Sequence, residues 1–363
     1  MKVVKSIENI LTLGEIVLQA HANAPPEAWD YMVGGSETET TLRRNRLAFD
    51  ELAFRPRVLR DVNHLDTSTN ILGMPFRMPV FLAPMGSLDQ LHDDAALVPA
   101  RAAKEFGISS MVSSVCPPGM ETVMTEGGGN LMYQLYVRGD EAWIKDHVDQ
   151  AQDLGYKTFC ITVDTAMYGR RERDKMRSFV PTARRRASGF NLQAGMDWDL
   201  VARIKAHCKV PFGLKGIATA EDAQLALDHG VDIIYISNHG GRQLDFGRGT
   251  AEVLPEIVEV AGGKATIFVD GSVYRGTDVL KAMALGADAV GIGRLCGYGV
   301  AAGGTPGVRR VLELLEEELI NAMANLGVTS LDQLTTNYIT DARSVHRPSV
   351  FSAFQLIDIP GYD

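Results

Sequence analysis

Cysteine is scarce in this chain of 363 residues, with four copies, Cys116, Cys160, Cys208 and Cys296, standing far apart and forming no C-x-x-C pair. Such spacing predicts neither a disulfide framework nor a metal site, and a reducing cytoplasm suits it best. Positive charge is also in deficit: 36 Lys+Arg against 45 Asp+Glu give a net charge of -9. A clustered basic face for a phosphate backbone is therefore not expected, which argues against nucleic acid as a partner. No uninterrupted apolar run reaches the roughly 18 residues of a spanning helix, so no membrane is expected either. The first apolar stretch, MKVVKSIENILTLGEIVLQA, is broken by Glu8, Asn9 and Glu15 and is followed by no small-residue cleavage pattern, so it does not read as a signal peptide. What remains, 45% hydrophobic and 22% charged, is the balance of an ordinary globule and excludes disorder and collagen.

Eight short apolar or β-branched runs recur in order: 79–85, 108–114, 130–136, 158–165, 211–216, 233–240, 266–272 and 289–294. Each reads as a buried strand, and helical patterns such as 140–154, 219–229 and 277–285 lie between them. Gly107, Gly155, Gly230 and Gly286 close helices just before the next strand, where a left-handed residue is needed. A βαβα order with about 30 residues per unit predicts an α/β fold of the (β/α)8 TIM-barrel type, the barrel covering about 79–305 of a single 1–363 domain. A helical N-terminal extension (6–20, 27–33, 36–48), an extended segment near Thr69 and terminal helices within 305–363 are expected around it. One interval is too long. The excess, about 166–196, is polar and arginine-rich, and predicts a mobile loop inserted after strand 4 above the catalytic face. A doubly wound open sheet is disfavoured, because Ala83-Pro84-Met85-Gly86 is no phosphate fingerprint after a first strand.

Barrels carry their chemistry at the C-terminal ends of the strands. Those ends are unusually polar here: Gln134 and Tyr136, Thr162 and Asp164, Lys215, Ser237-Asn238-His239-Gly240-Gly241-Arg242, Asp270-Gly271-Ser272, and Gly293-Arg294. His239 can take a proton near neutral pH, and Arg242 can bind a carboxylate beside it. Asp164 can fix the histidine's tautomer. Any one of these alone reads as a satisfied structural polar group; His239, Arg242, Asp164, Tyr136 and Lys215 together read as a site. Gly293 and Arg294 stand where barrels hold phosphate, with Asp270 suited to a sugar-like hydroxyl, so a phosphorylated cofactor is expected. Lys215 would face its ring, with Ser113, Gln134 and Thr162 on its heteroatoms. The alternative for Lys215 is a plain ion pair with Asp164.

With those residues in view, the sequence resembles the FMN-dependent (S)-2-hydroxy acid oxidase/dehydrogenase family, which includes glycolate and lactate oxidases and mandelate dehydrogenases. The likeness spans nearly the whole chain and is most specific at SNHGGRQLD (237–245), with YMVGGSETE (31–39), TVDT and GRRERD (162–174), LKG (214–216), DGSVYRGTDV (270–279) and IGR (292–294) also matching. It implies that His239 is the base, Asp164 its partner, Arg171 and Arg242 the carboxylate-binding arginines, and Tyr31 and Tyr136 the substrate-contacting tyrosines. It further implies FMN contacts from Pro84, Met85, Gly86, Ser113, Gln134, Thr162, Lys215, Ser237, Asp270, Gly271, Ser272, Tyr274, Gly293 and Arg294, and a homo-oligomer, tetramer or octamer. The reaction implied is oxidation of a 2-hydroxy acid to the 2-oxo acid, with oxygen or another acceptor, or a monooxygenase outcome, left open. A flavin-dependent isomerase is disfavoured because it has no need for a histidine base beside two carboxylate-binding arginines, and a non-catalytic FMN binder because the whole polar set is intact.

The chain departs from the family at Val115, where glycolate oxidases carry tryptophan, which suggests a substrate larger than glycolate. Tyr274 replaces an arginine that many members place near the phosphate, and Gly86 replaces an alanine. The segment 91–96 lacks a usual proline and glycine, with no functional account. The run Arg184-Arg185-Arg186 reads either as an attractor of anions or as a solvated loop face. The methionines, Met176 and Met196 among them, read as packing.

Overall fold

The computed structural model describes residues 6–185 and 192–362. All eight predicted strands form: β1 Val80–Leu82, β2 Ser109–Ser113, β3 Leu131–Leu135, β4 Phe159–Thr162, β5 Phe212–Ile217, β6 Ile233–Ile236, β7 Thr266–Val269 and β8 Ala289–Ile292. They are parallel and close on themselves, β8 pairing with β1 through Ile292 and Leu82. Nearly every strand residue is buried, as expected when helices cover the outside and side chains fill the inside, and this is why the runs are continuous rather than alternating.

The helices form because caps and periodicity agree. Asp140, Asp197 and Thr219 each accept a backbone N–H from the first turn of Glu141–Asp153, Trp198–His207 and Ala220–Asp228. Gly107, Gly155, Gly230 and Gly286 all take the left-handed conformation, as their positions predict. The expected end of the chain is only partly right. One helix, Arg294–Leu326, kinks at Gly303 and Gly304, and beyond it come short 3-10 turns and the strand Ile339–Asp341 rather than further helices. That strand pairs with Leu52–Phe54, while the segment near Thr69 folds as a hairpin, Thr69–Ile71 against Met74–Phe76.

The N-terminal extension is a 3-10 turn, Ile7–Asn9, followed by helices Leu13–Asn23, Pro26–Val33 and Thr40–Asp50. A capping box of Thr12 and Glu15 starts the first. The third begins later than expected, because residues 34–39 turn back with Glu39 left-handed and its carboxylate accepting the Gly35 N–H. Arg46 on this helix makes a two-pronged, buried ion pair with Asp278 at the start of helix Gly276–Ala284, at 2.7 and 2.8 Å. The long interval after β4 carries the short helices Glu172–Met176 and Thr182–Arg185 and the 3-10 turn Leu192–Gly195; residues 186–191 of the predicted loop, Arg186 included, lie outside the described residues. Its described part is tied to the N-terminal extension by Arg173 on Glu39, at 2.6 and 2.8 Å, and Arg177 on Asp30 at 2.6 Å. Among the described residues no helix is long and apolar enough to cross a membrane.

Candidate active site

A cavity of about 420 Å³ opens at the C-terminal end of the barrel, within the range of small-molecule and cofactor sites. His239 reaches it from the loop after β6, where His239, Gly240 and Gly241 are all left-handed. Glycine is required at 241, since a Cβ there would strike the backbone of Leu42. The strained histidine is held by its own backbone N–H on Ser237 Oγ at 3.0 Å.

The imidazole sits between two partners. Nδ1 is 3.0 Å from Asp164 Oδ1, and Nε2 is 3.0 Å from the Tyr136 hydroxyl. An ionised carboxylate only accepts, so Nδ1 carries the proton and Nε2 presents its lone pair to the cavity. Burial drives the His239 pKa below 6.5, reinforced by Lys215 and Arg171 and opposed by Asp164. Burial alone would raise the Asp164 pKa, but His239, Lys215 and Thr165 together hold it below the ordinary carboxylate value. Burial also lifts the Tyr136 phenol far above its usual range, so Tyr136 remains a donor at neutral pH. Gly216 is left-handed at an irregularity in β5, and its missing side chain lets Asp164 approach the strand.

Arg171 and Arg242 line the same cavity, and no carboxylate among the described residues is ion-paired to either. Arg242 donates to the Tyr31 and Gly34 carbonyls at 2.6 and 2.9 Å, and lies 4.7 Å from the centre of the Tyr31 ring. These carbonyls belong to the end of helix Pro26–Val33, where unsatisfied oxygens and the helix dipole favour a cation. Burial, with Arg171 and Arg294 adding repulsion, lowers the Arg242 pKa to about 10, which leaves it charged at neutral pH. Arg171 donates to the Tyr168 hydroxyl at 2.6 Å.

The other end of the cavity is lined by Pro84, Met85 and Gly86 after β1, Lys215 of β5, Asp270 to Tyr274 after β7, and Gly293 and Arg294 after β8. Lys215 does not pair with Asp164. Its Nζ lies 2.7 Å from Ser237 Oγ and 3.2 Å from Asp270 Oδ2, because its long stem leans toward β6 and β7. Asp270 is thereby engaged by Lys215 and by the Ser237 hydroxyl at 2.7 Å. Ser113, Gln134 and Thr162 form one buried hydrogen-bonded row across β2, β3 and β4, with 2.8 Å links, and do not themselves line the cavity. Arg294 differs most from expectation. Its Nε, Nη1 and Nη2 donate to the carbonyls of Val33, Gly240 and Gly34, which leaves one N–H on each terminal nitrogen. Tyr274 is buried against Tyr298 and Phe354.

Tyr168 and Gln193 on the cavity wall lie outside every motif quoted, and Gln243 lies inside SNHGGRQLD without having been given a role. Gln193 ties its 3-10 turn to the Thr162 carbonyl and the Val137 N–H, and Gln243 bridges the Gly169 N–H and the Thr165 hydroxyl. Their signal lay only in their proximity to the strand-4 and strand-6 ends.

Such an arrangement gathers a histidine between an acid and a phenol, two buried arginines and an adjoining cleft at the C-terminal end of one barrel. Residues 20–341 match the family described as FMN-dependent dehydrogenase, and the chain belongs to that family. It is 35% identical to L-lactate oxidase of Nostoc sp., over 92% of this chain and 99% of that one. It is 37% identical to glycolate oxidase 1 of Oryza sativa subsp. indica, over 94% and 98%. A crystal structure of mandelate oxidase superposes with a TM-score of 0.85 at 35% identity, covering 93% of this chain and all of that one. The chain is thus an FMN-dependent oxidoreductase that converts a 2-hydroxy acid to the 2-oxo acid. The cleft fits the cofactor on its own terms. The Ser272 hydroxyl on its wall is buried without a hydrogen-bond partner among the described residues, and Gly293 caps the N-terminus of helix Arg294–Leu326, a natural seat for phosphate with no side chain on Gly293 in the way.

Proposed function

We propose that the enzyme is an oxidase of (S)-2-hydroxy acids in which His239 Nε2 accepts the substrate proton. FMN, when bound, would supply the two-electron acceptor, with oxygen as the final oxidant. Arg171 and Arg242 hold the substrate carboxylate, with Tyr31 beside them. Tyr136 orients the substrate oxygen and exchanges its bond with His239. Asp164 steadies the charged imidazole once the proton arrives. On the cofactor side, Pro84, Met85 and Gly86 offer backbone, Lys215 with Ser237 offers positive charge and a hydroxyl, and Ser113, Gln134 and Thr162 form a polar row beneath. Asp270, Gly271, Ser272 and Tyr274 complete the wall, and Gly293 with Arg294 takes the phosphate.

The observation that carries this reading is the Asp164–His239–Tyr136 chain beside two guanidinium groups to which no carboxylate among the described residues is ion-paired. Val115 on the cavity wall favours an acid larger than glycolate. A cytoplasmic setting and a tetrameric or octameric assembly complete the reading; no disulfide joins the four buried cysteines, which suits a reducing compartment, and mass measurement in solution checks the assembly.

Anaerobic mixing with a panel from glycolate to phenyllactate, followed near 450 nm and then exposed to air, tests the reaction. Bleaching and rapid recolouring with peroxide is expected. His239→Ala should stay yellow and bleach at least ~100-fold more slowly; bleaching at the parent rate would remove His239 from the role of base.

A further inference from the structure

The positive charge of the cavity exceeds what one carboxylate requires. Arg184, on helix Thr182–Arg185, also lines it. Its guanidinium carbon stands 4.7 Å from the centre of the Tyr168 ring, and that of Arg171 stands 4.3 Å from the same centre. The two guanidinium carbons are therefore at most about 9 Å apart, held by one aromatic ring between or beside them. Among the described residues neither makes an ion pair. The acid that feels both, together with Arg242, is Asp174: burial, with Asp30 adding to it, raises its pKa while the three arginines oppose the rise, and its buried Oδ2 has no hydrogen-bond partner among the described residues. Against Arg171, Arg184 and Arg242, Asp174 and the C1 carboxylate of a hydroxy acid supply one negative charge each. One positive charge is left over, and Arg184, the exposed member of the three, brings it from the separate helix Thr182–Arg185 to a cavity whose walls also include the apolar Leu88, Leu91, Val115 and Val137.

We propose that Arg184, seated on Tyr168, binds a second carboxylate, and that the substrates are short (S)-2-hydroxydicarboxylates. The C1 carboxylate takes the Arg171 and Arg242 clamp, the methylene chain runs along the apolar wall, and the terminal carboxylate meets Arg184. The proposal rests on the hydroxy-acid reading above. It also gives the arginine run a use at its first member: Arg184 faces the cavity, not only solvent.

The test is anaerobic flavin reduction in the holoenzyme with (S)-malate, (S)-2-hydroxyglutarate and (S)-2-hydroxyadipate, each against the monoacid of equal chain length. Alongside it, glutarate and butyrate are titrated as unreactive ligands, read by the flavin spectrum. At least one diacid should exceed its monoacid about tenfold in reduction rate over Kd, glutarate should bind more tightly than butyrate, and added salt should narrow both gaps. Arg184→Gln should cut the diacid-to-monoacid ratio about tenfold. The proposal is overturned if monoacids reduce the flavin and no diacid surpasses its counterpart, or if Arg184→Gln leaves the ratio unmoved. Failure of every hydroxy acid, mono- or diacid, would instead sink the reading on which it rests.

Discussion

His239 can act as a base only while it is neutral, and its surroundings set the pH at which that holds. Burial pushes its pKa below 6.5 and Asp164 pushes back. The acidic limb of kcat/KM should therefore lie below 6.5, with activity rising through it and level from there until Arg242 loses its charge at about 10. Asp164→Asn removes the one charge that favours the imidazolium, so the limb should move to still lower pH while flavin reduction slows by ~100-fold or more. A limb that moved upward would contradict the assigned electrostatics. This pair was legible in the sequence, because strand ends can be read in order and both residues fall on the same rim. The partner of Lys215 was not. Strand order does not say which way a long side chain leans, and Lys215 turns to Asp270, a residue the sequence assigned to a sugar hydroxyl.

At the level of elements, the barrel was legible strand by strand, since parallel strands buried on both faces are continuous apolar runs with glycine-ended helices between them. The segments outside the repeat were not. Nothing local in residues 339–341 announces that they pair with Leu52–Phe54, because such pairing depends on where the long last helix delivers the chain. One tie between extension and barrel is the Arg46–Asp278 pair. The Asp278 carboxylate also accepts the backbone N–H groups of Tyr274 and Arg275, so it fixes the loop that walls the cofactor cleft. Asp278→Ala leaves a buried guanidinium with the flanking Asp50 as its remaining acid, and should cost ~3–5 kcal/mol in urea unfolding at pH 7. Burial alone would raise the Asp278 pKa, yet Arg46 holds it below 3.8. Its contribution is therefore complete above 3.8 and is lost as pH falls through the lower folded value. An unfolding midpoint that did not change on substitution would show the tie to be dispensable.

Across the whole molecule, two segments distant in sequence converge on Asp30. Its carboxylate accepts Arg177 from the interval after β4 at 2.6 Å and the Tyr362 hydroxyl from the C-terminal tail. Trp29 beside it packs on Phe351 and Tyr298, so tail and last helix both brace helix Pro26–Val33. That helix and its C-cap supply the Tyr31 ring and the Tyr31 and Gly34 carbonyls that aim Arg242, so a shift of its axis moves the proposed carboxylate clamp without touching His239. Displacements on the order of 1 Å at a positioning group can cost ~100-fold. Asp30→Ala keeps every side chain proposed to contact substrate but removes one tie of the loop, which keeps Arg173 on Glu39, and one tie of the tail, which keeps Phe351 on Trp29. The expected result is a KM raised about tenfold with a smaller change in kcat, together with altered Trp29 fluorescence as the tail loosens. A fall in kcat at constant KM would mean that Asp30 acts on the proton transfer and not on the clamp, and the picture of the N-terminal helix as the part that aims Arg242 would have to be given up.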